Sequence, residues 1–297
     1  MRYDVIIVGG SYAGMSAGLQ LARARRKVLV IDAGQRRNRF AATSHGFLGQ
    51  DGRAPQAIAE DAREQLLAYP TVQWVSGTAT RAEGRAQGFT LETGDGGRYE
   101  GRRLLLASGV VDDLPDVPGL AERWGSSVFH CPYCHGYELE QGPIGVLATS
   151  EISLHHALML PDWGPTTFFT NGAFEPDAEQ RASLARRAVT LRTERVKRIE
   201  GERANVVLAD GRVIDIDGLF VLPRTRVASP LAASLGCEFE DGPLGAFIQA
   251  DLARETSVPG VFACGDAAMA FGSVALSVGD GVRAGAGVHR SLIFAQA

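Results

Sequence analysis

The run Asp4-Val5-Ile6-Ile7-Val8, followed at once by Gly9-Gly10-Ser11-Tyr12-Ala13-Gly14, constrains this chain more than any other feature. A short apolar run of this kind reads as a buried strand, and the residues beyond the glycines, through Leu19, Leu21 and Ala22, carry helical spacing. A second apolar run, Val28-Leu29-Val30-Ile31, ends in Asp32. Strand, glycine turn, helix and strand make a βαβ unit of about 30 residues, half of a Rossmann sheet. Such a turn lets backbone N–H groups approach a pyrophosphate at the positive end of the helix. An acid about 20 residues further on accepts from ribose hydroxyls. Gly9, Gly14 and Asp32 fit that pattern, with Ser11 at the middle position where glycine is the rule and Ala13 beside Gly14. These residues are the candidate dinucleotide contacts.

A chain of 297 residues exceeds what one core holds, so two domains are expected. The net charge of −4 is spread over interspersed acids and bases, which argues against a nucleic-acid partner. No apolar run approaches the ~18–20 residues of a bilayer span, and the N-terminus enters a strand without a signal sequence. The expectation is a cytoplasmic protein with no membrane partner.

Further along, residues 54–69 read as a helix, and the segments 72–77, 89–92 and 98–102 read as a small antiparallel meander. Leu104-Leu105-Leu106 returns as a buried strand ending at Ala107-Ser108-Gly109. The acidic, proline-containing stretch 110–118 looks like a crossing. Beyond it, strands are expected at 143–147, 166–170, 189–192, 206–209, 213–216 and 219–222, with a helix over 151–160. Val258–Asp266 reads as a last strand ending in Gly265-Asp266, and 275–292 as a closing helix. The fold class is therefore α/β, with two Rossmann-like (three-layer ββα) domains, the second inserted in the first. Residues 1–112 and 243–297 form the first domain, and 113–242 the second.

The second domain carries His130-Cys131-Pro132-Tyr133-Cys134-His135-Gly136-Tyr137. Two cysteines at this spacing, opening a helix with proline at its start, lie within disulfide reach, and the helix N-terminus favours thiolate. A structural zinc site needs four ligands, whereas Cys237 and Cys264 stand alone, so no metal is expected. A cysteine pair in a chain with few other cysteines points to redox chemistry. Where the second domain should repeat the glycine fingerprint, it reads Ala148-Thr149-Ser150-Glu151-Ile152-Ser153. After its next strand, Thr170-Asn171-Gly172 offers no arginine for a 2′-phosphate. Its nicotinamide signals are absent.

Over essentially its whole length the chain resembles the low-molecular-weight thioredoxin reductase group of FAD-dependent disulfide oxidoreductases. The resemblance is carried in order by the Gly9–Gly14 turn, Ala107-Ser108-Gly109, Cys131-x-x-Cys134 and Thr256-Ser257-Val258-Pro259-Gly260-Val261-Phe262-Ala263-Cys264-Gly265-Asp266. Cys-Pro-Tyr-Cys-His-Gly-Tyr-Glu together with the degraded nicotinamide site is most similar to the dithiol oxidases of holomycin and gliotoxin biosynthesis. The resemblance implies FAD in the first domain near Gly265 and Asp266, a homodimer, and flavin-facing Cys134 with substrate-facing Cys131. It also places the loop of His45 near the flavin. Reductases of the group usually have aspartate where His135 stands, and their Arg-Gln flavin contact is replaced here by Gly272-Ser273-Val274-Ala275.

His135 is the expected proton shuttle, because proton transfer must accompany thiol oxidation. His155 and His156 are expected on a helix surface. The reading is an FAD-dependent enzyme that oxidises a small-molecule or protein dithiol, with oxygen as acceptor. Two others stand beside it: a disulfide reductase fed by NAD(P)H through an atypical site or by a ferredoxin-like protein, and a flavin-binding scaffold.

Overall fold

The computed structural model describes residues 2–294. The chain divides into two compact units, one built from residues up to Arg39, Pro55–Val111 and Thr225 onward, the other from Phe40–Ala54 and Asp112–Arg224. It leaves the first unit along the strand Val110–Asp113 and returns along Arg224–Val227, two strands paired with each other. The return thus falls ahead of the expected position 243, because the strand pairing between the outgoing and returning chain fixes both crossings together. Phe40–Ala54, assigned from sequence to the first domain, joins the second unit, where the Cβ and backbone of Phe40 lie against Gly125.

The first unit is a parallel sheet in the order Val72–Ser76, Val28–Asp32, Arg2–Val8, Arg98–Leu106, with Val261–Ala263 also on Arg98–Leu106. Its strands are apolar runs because both faces are covered: Val5, Ile6 and Ile7 have no exposed surface. On one face pack the helices Tyr12–Arg23, Pro55–Leu67 and Val274–Phe294. On the other, Ala79, Ala82, Phe89 and Leu91 join Leu231, Cys237 and Ile248. The expected meander is only partly antiparallel. Ala79–Arg85, Gly88–Thr93 and the start of Arg98–Leu106 form it, while Val72–Ser76 pairs parallel with Val28–Asp32. Helix Pro55–Leu67 supplies the crossover that parallel pairing requires.

The second unit repeats the layering. Its parallel sheet runs Thr190–Arg192, Thr166–Phe169, Ile144–Leu147, Gly218–Val221, Val128–Phe129. A three-stranded antiparallel sheet, Val196–Glu200, Asn205–Leu208 and Val213–Ile214, covers one face, and the helices Leu154–Met159 and Ala178–Arg186 cover the other. The helix expected over 151–160 is broken into a 3-10 turn Glu151–Ser153, the short helix Leu154–Met159 and a second 3-10 turn Leu160–Asp162 containing Pro161. Among the described residues no helix is long and apolar enough to cross a membrane.

His156 corrects the surface expectation. It is buried against Phe220, its Nδ1 has no hydrogen-bond partner, and burial followed by the nearby His155 pushes its pKa down to about 4. The unfolded chain binds a proton near pH 6.5 that the folded chain refuses until about 4, so stability falls as pH drops through that window. Urea unfolding at pH 7 and pH 5 should show His156→Leu losing less stability on acidification than the parent chain, by about 1–2 kcal/mol.

Candidate active site

In the first unit the strand ends converge on the glycine turn. Gly9 has φ +103°, and a Cβ there would lie 2.3 Å from the carbonyl oxygen of Ala107. Gly10 donates its N–H to Asp32 Oδ1 at 2.9 Å, so Asp32 ties the turn to the second strand. Ser11 is the N-cap of helix Tyr12–Arg23, in extended conformation, and its side chain makes no capping bond. The first-turn N–H groups of such a helix are left for an anion.

Gly265 and Asp266 come to the same turn from the far end of the chain. Gly265 adopts φ +70°, and a Cβ on it would stand 2.8 Å from Ala13 Cβ. Asp266 accepts from Arg37 Nη1 at 2.9 Å and from Ser277 Oγ at 3.2 Å. Among the described residues, five buried side-chain atoms in this unit have no hydrogen-bond partner; Arg26 Nε and Thr71 Oγ1 lie ahead of strands, while Arg36 Nε, Asn38 Oδ1 and Ser108 Oγ lie on loops that follow them. Orphaned polar atoms on loops that follow parallel strands are what a polar ligand would satisfy, and this donor and acceptor set fits the phosphates and ribose of FAD. Arg36, Arg37 and Asn38 were missed from sequence. Their signal was the polar run Arg36-Arg37-Asn38-Arg39 just past the strand that ends in Asp32.

In the second unit, Cys131 and Cys134 are joined by a disulfide with Cα atoms 5.3 Å apart. Cys131 is the N-cap of a single turn, Pro132–His135, far shorter than the helix expected. His135 stacks on Phe129 with ring centroids 4.3 Å apart, and burial, then the charge of His45, lowers its pKa to about 4. It is therefore neutral at pH 7 and a weaker base than a solvent-exposed imidazole. Tyr133, between the cysteines, is exposed and meets Trp163 edge-on at 5.4 Å. Gly136 leaves room for that ring, since a Cβ would lie 2.7 Å from Trp163 Cδ1.

His45 was expected among the cofactor contacts. It belongs to the second unit, where Glu138 Oε1 lies 3.4 Å from its Nε2 and Asp51 Oδ1 lies 3.6 Å from its Nδ1. The Ser44–Arg53 bridge folds residues 44–53 into a compact loop carrying both Asp51 and His45. Among the described residues no group of three His, Cys, Asp or Glu side chains could hold a metal ion.

Residues 3–281 match the pyridine nucleotide-disulphide oxidoreductase family. The chain belongs to that family. It is an FAD-dependent disulfide oxidoreductase of the thioredoxin reductase-like type. The oxidoreductase is 34% identical over 278 residues to thioredoxin reductase tcpT of Claviceps purpurea, covering 89% of this chain and 86% of that one. Among solved structures, an oxidoreductase from Agrobacterium tumefaciens is 57% identical over 100% of both chains with a TM-score of 0.97. HlmI is 36% identical, with a TM-score of 0.90 over 98% of this chain and 93% of that one.

In the second unit the turn that stands where the glycine fingerprint would fall is held by its own side chains. After strand Ile144–Leu147 the Thr149 N–H donates to the buried Ser153 Oγ at 3.1 Å, and Thr149 Oγ1 donates to the Leu222 carbonyl at 2.7 Å. One backbone N–H of the turn, that of Thr149, is thereby taken. One cation does reach the next turn from elsewhere: Arg195 donates to the Asn171 carbonyl at 2.7 Å and lies against Gly172.

Gly14→Ala tests the first-unit cradle, because the new Cβ would stand 1.9 Å from the Gly9 carbonyl oxygen. Flavin affinity should fall at least about tenfold as the turn loses charge-assisted hydrogen bonds to phosphate. Gly279→Ala, where a Cβ has open space, should leave the flavin-to-protein absorbance ratio unchanged.

Proposed function

We propose that the enzyme oxidises a dithiol to a disulfide through Cys131 and Cys134, with oxygen as final acceptor. The observation that supports this reading is the Thr149 turn, which lacks the fingerprint glycines and spends its N–H on Ser153 Oγ, and so favours the substrate dithiol over NAD(P)H as the source of electrons. A substrate thiolate attacks one sulfur of the Cys131–Cys134 bond, and the other sulfur leaves as thiolate; Cys131 is the sulfur assigned to this exchange. The second substrate thiolate then attacks the mixed disulfide, closing the substrate disulfide and leaving both cysteines reduced. His135 is the residue proposed to relay protons from the thiols; burial keeps it neutral at pH 7 and a weak base, so it hands each proton on at once rather than storing it. Gly9, Ser11, Ala13, Gly14, Asp32, Gly265 and Asp266 would hold FAD, which when bound would supply a two-electron acceptor for the Cys131–Cys134 dithiol that oxygen can reoxidise, giving hydrogen peroxide. The balance is one dithiol and one oxygen to one disulfide and one peroxide.

The Tyr133 and Tyr137 side chains beside the cysteines are exposed and suit an apolar partner more than a charged one. The enzyme is assigned to the cytoplasm, as a homodimer. A second reading, an NAD(P)H-fed disulfide reductase, is favoured by the name thioredoxin reductase borne by tcpT and by Arg195 beside Gly172.

The two readings part under anaerobic conditions. Dithiothreitol should bleach the flavin at least about tenfold faster than NADPH, and in air should yield hydrogen peroxide in step with thiol loss. Rapid, saturable bleaching by micromolar NADPH would establish the reductase instead. Cys134→Ser should abolish dithiol-to-flavin transfer while keeping FAD, and Cys237→Ser should not alter it. His135→Gln should slow the transfer by about a hundredfold.

A further inference from the structure

One buried charge in the first unit has no part in the chemistry above. Asp280 lies on the inner face of helix Val274–Phe294 and is 6% exposed. Its Oδ1 accepts from Arg254 Nε at 2.6 Å and lies 2.6 Å from Arg254 Nη2, and its Oδ2 accepts the Gly265 N–H at 2.9 Å. Arg254 itself is in left-handed backbone conformation at φ +69°, in a turn that Asp251 holds by accepting the Ala253 and Glu255 N–H groups. Next to Asp280, Gly281 lets the helix touch the fingerprint, since a Cβ there would stand 2.2 Å from the Ala13 carbonyl oxygen. Ser16 Oγ donates to the Val278 carbonyl at 2.8 Å in the same region. The carboxylate therefore stands where the closing helix, the 251–255 turn and the Gly265–Asp266 turn meet.

A buried ion pair is a poor source of stability, because well-packed apolar residues hold a core at least as well. What this pair does that apolar residues could not is accept the N–H of Gly265, a residue in a left-handed turn that has no side chain to fix it. We propose that Arg254 and Asp280 are positioning residues for FAD: the pair locks the Gly265–Asp266 turn into the shape that receives the cofactor. The proposal rests on the reading of Gly265 and Asp266 as flavin contacts.

The test uses full-length holoenzyme diluted into FAD-free buffer, with release followed by the recovery of flavin fluorescence and melting followed in saturating FAD. Asp280→Asn removes the charge with little change of shape. The double variant R254M/D280L removes the pair without stranding a charge. Each should release FAD at least about tenfold faster than the parent enzyme, the double variant while still melting cooperatively with FAD present. Arg254→Lys, which keeps the charge, should recover most of the parent residence time. A merely structural pair would lower melting and leave release unchanged, so release within about twofold of the parent rate in a cooperatively melting variant overturns the proposal. Asp266→Ala is measured alongside. Fast release from Asp266→Ala with parent-like release from Asp280→Asn removes the latch and keeps the turn assignment. Parent-like release from Asp266→Ala removes both.

Discussion

How closely helix Tyr12–Arg23 can approach its neighbours governs the first unit. A Cβ at Gly14 would stand 1.9 Å from the Gly9 carbonyl oxygen, and one at Gly281 would stand 2.2 Å from that of Ala13. With side chains at these positions the helix would sit further from strand Arg2–Val8 on one side and from helix Val274–Phe294 on the other. The close approach puts the helix's unpaired N–H groups at the strand ends, and it draws Gly265 and Asp266 to the same place from the other end of the chain. Packing and ligand recognition are thus one geometric requirement here.

The first unit was the more legible in sequence for a physical reason. Its strands are covered on both faces, so each is an unbroken apolar run, and the glycine turn sits between two of them. The second unit hides some of its elements. Val196–Glu200 reads Val-Lys-Arg-Ile-Glu, with charges on the exposed face of an antiparallel sheet, and gave no apolar run. Helix Ala178–Arg186 buries only Leu184, yet Asp177 and Gln180 form a capping box that could have announced it. His156 went astray because a helix of one and a half turns is too short for periodicity to tell its faces apart.

The site shows the same division. Cysteine spacing and the fingerprint are local patterns and were readable. The Arg37–Asp266 and Arg254–Asp280 pairs join residues distant in sequence, the first separated by 229 positions, and no local pattern marks them. The missing glycines around Thr149 could be read directly, but that Ser153 occupies the vacated N–H is visible only in the fold. Neutral His135 is likewise a product of tertiary burial rather than of its place after Cys134.

Burial also decides what the remaining sulfurs can do. Cys264 is wholly enclosed, and burial followed by the Asp280 charge pushes its thiol up; Cys237 is raised by burial as well. Neither offers thiolate at neutral pH, so neither can enter exchange with the Cys131–Cys134 pair. The protein's thiol–disulfide exchange therefore rests on one bridge, which is either closed or open. A thiol partner therefore has a single address on the chain, and no third cysteine stands by to resolve a mixed disulfide in place of Cys131 or Cys134.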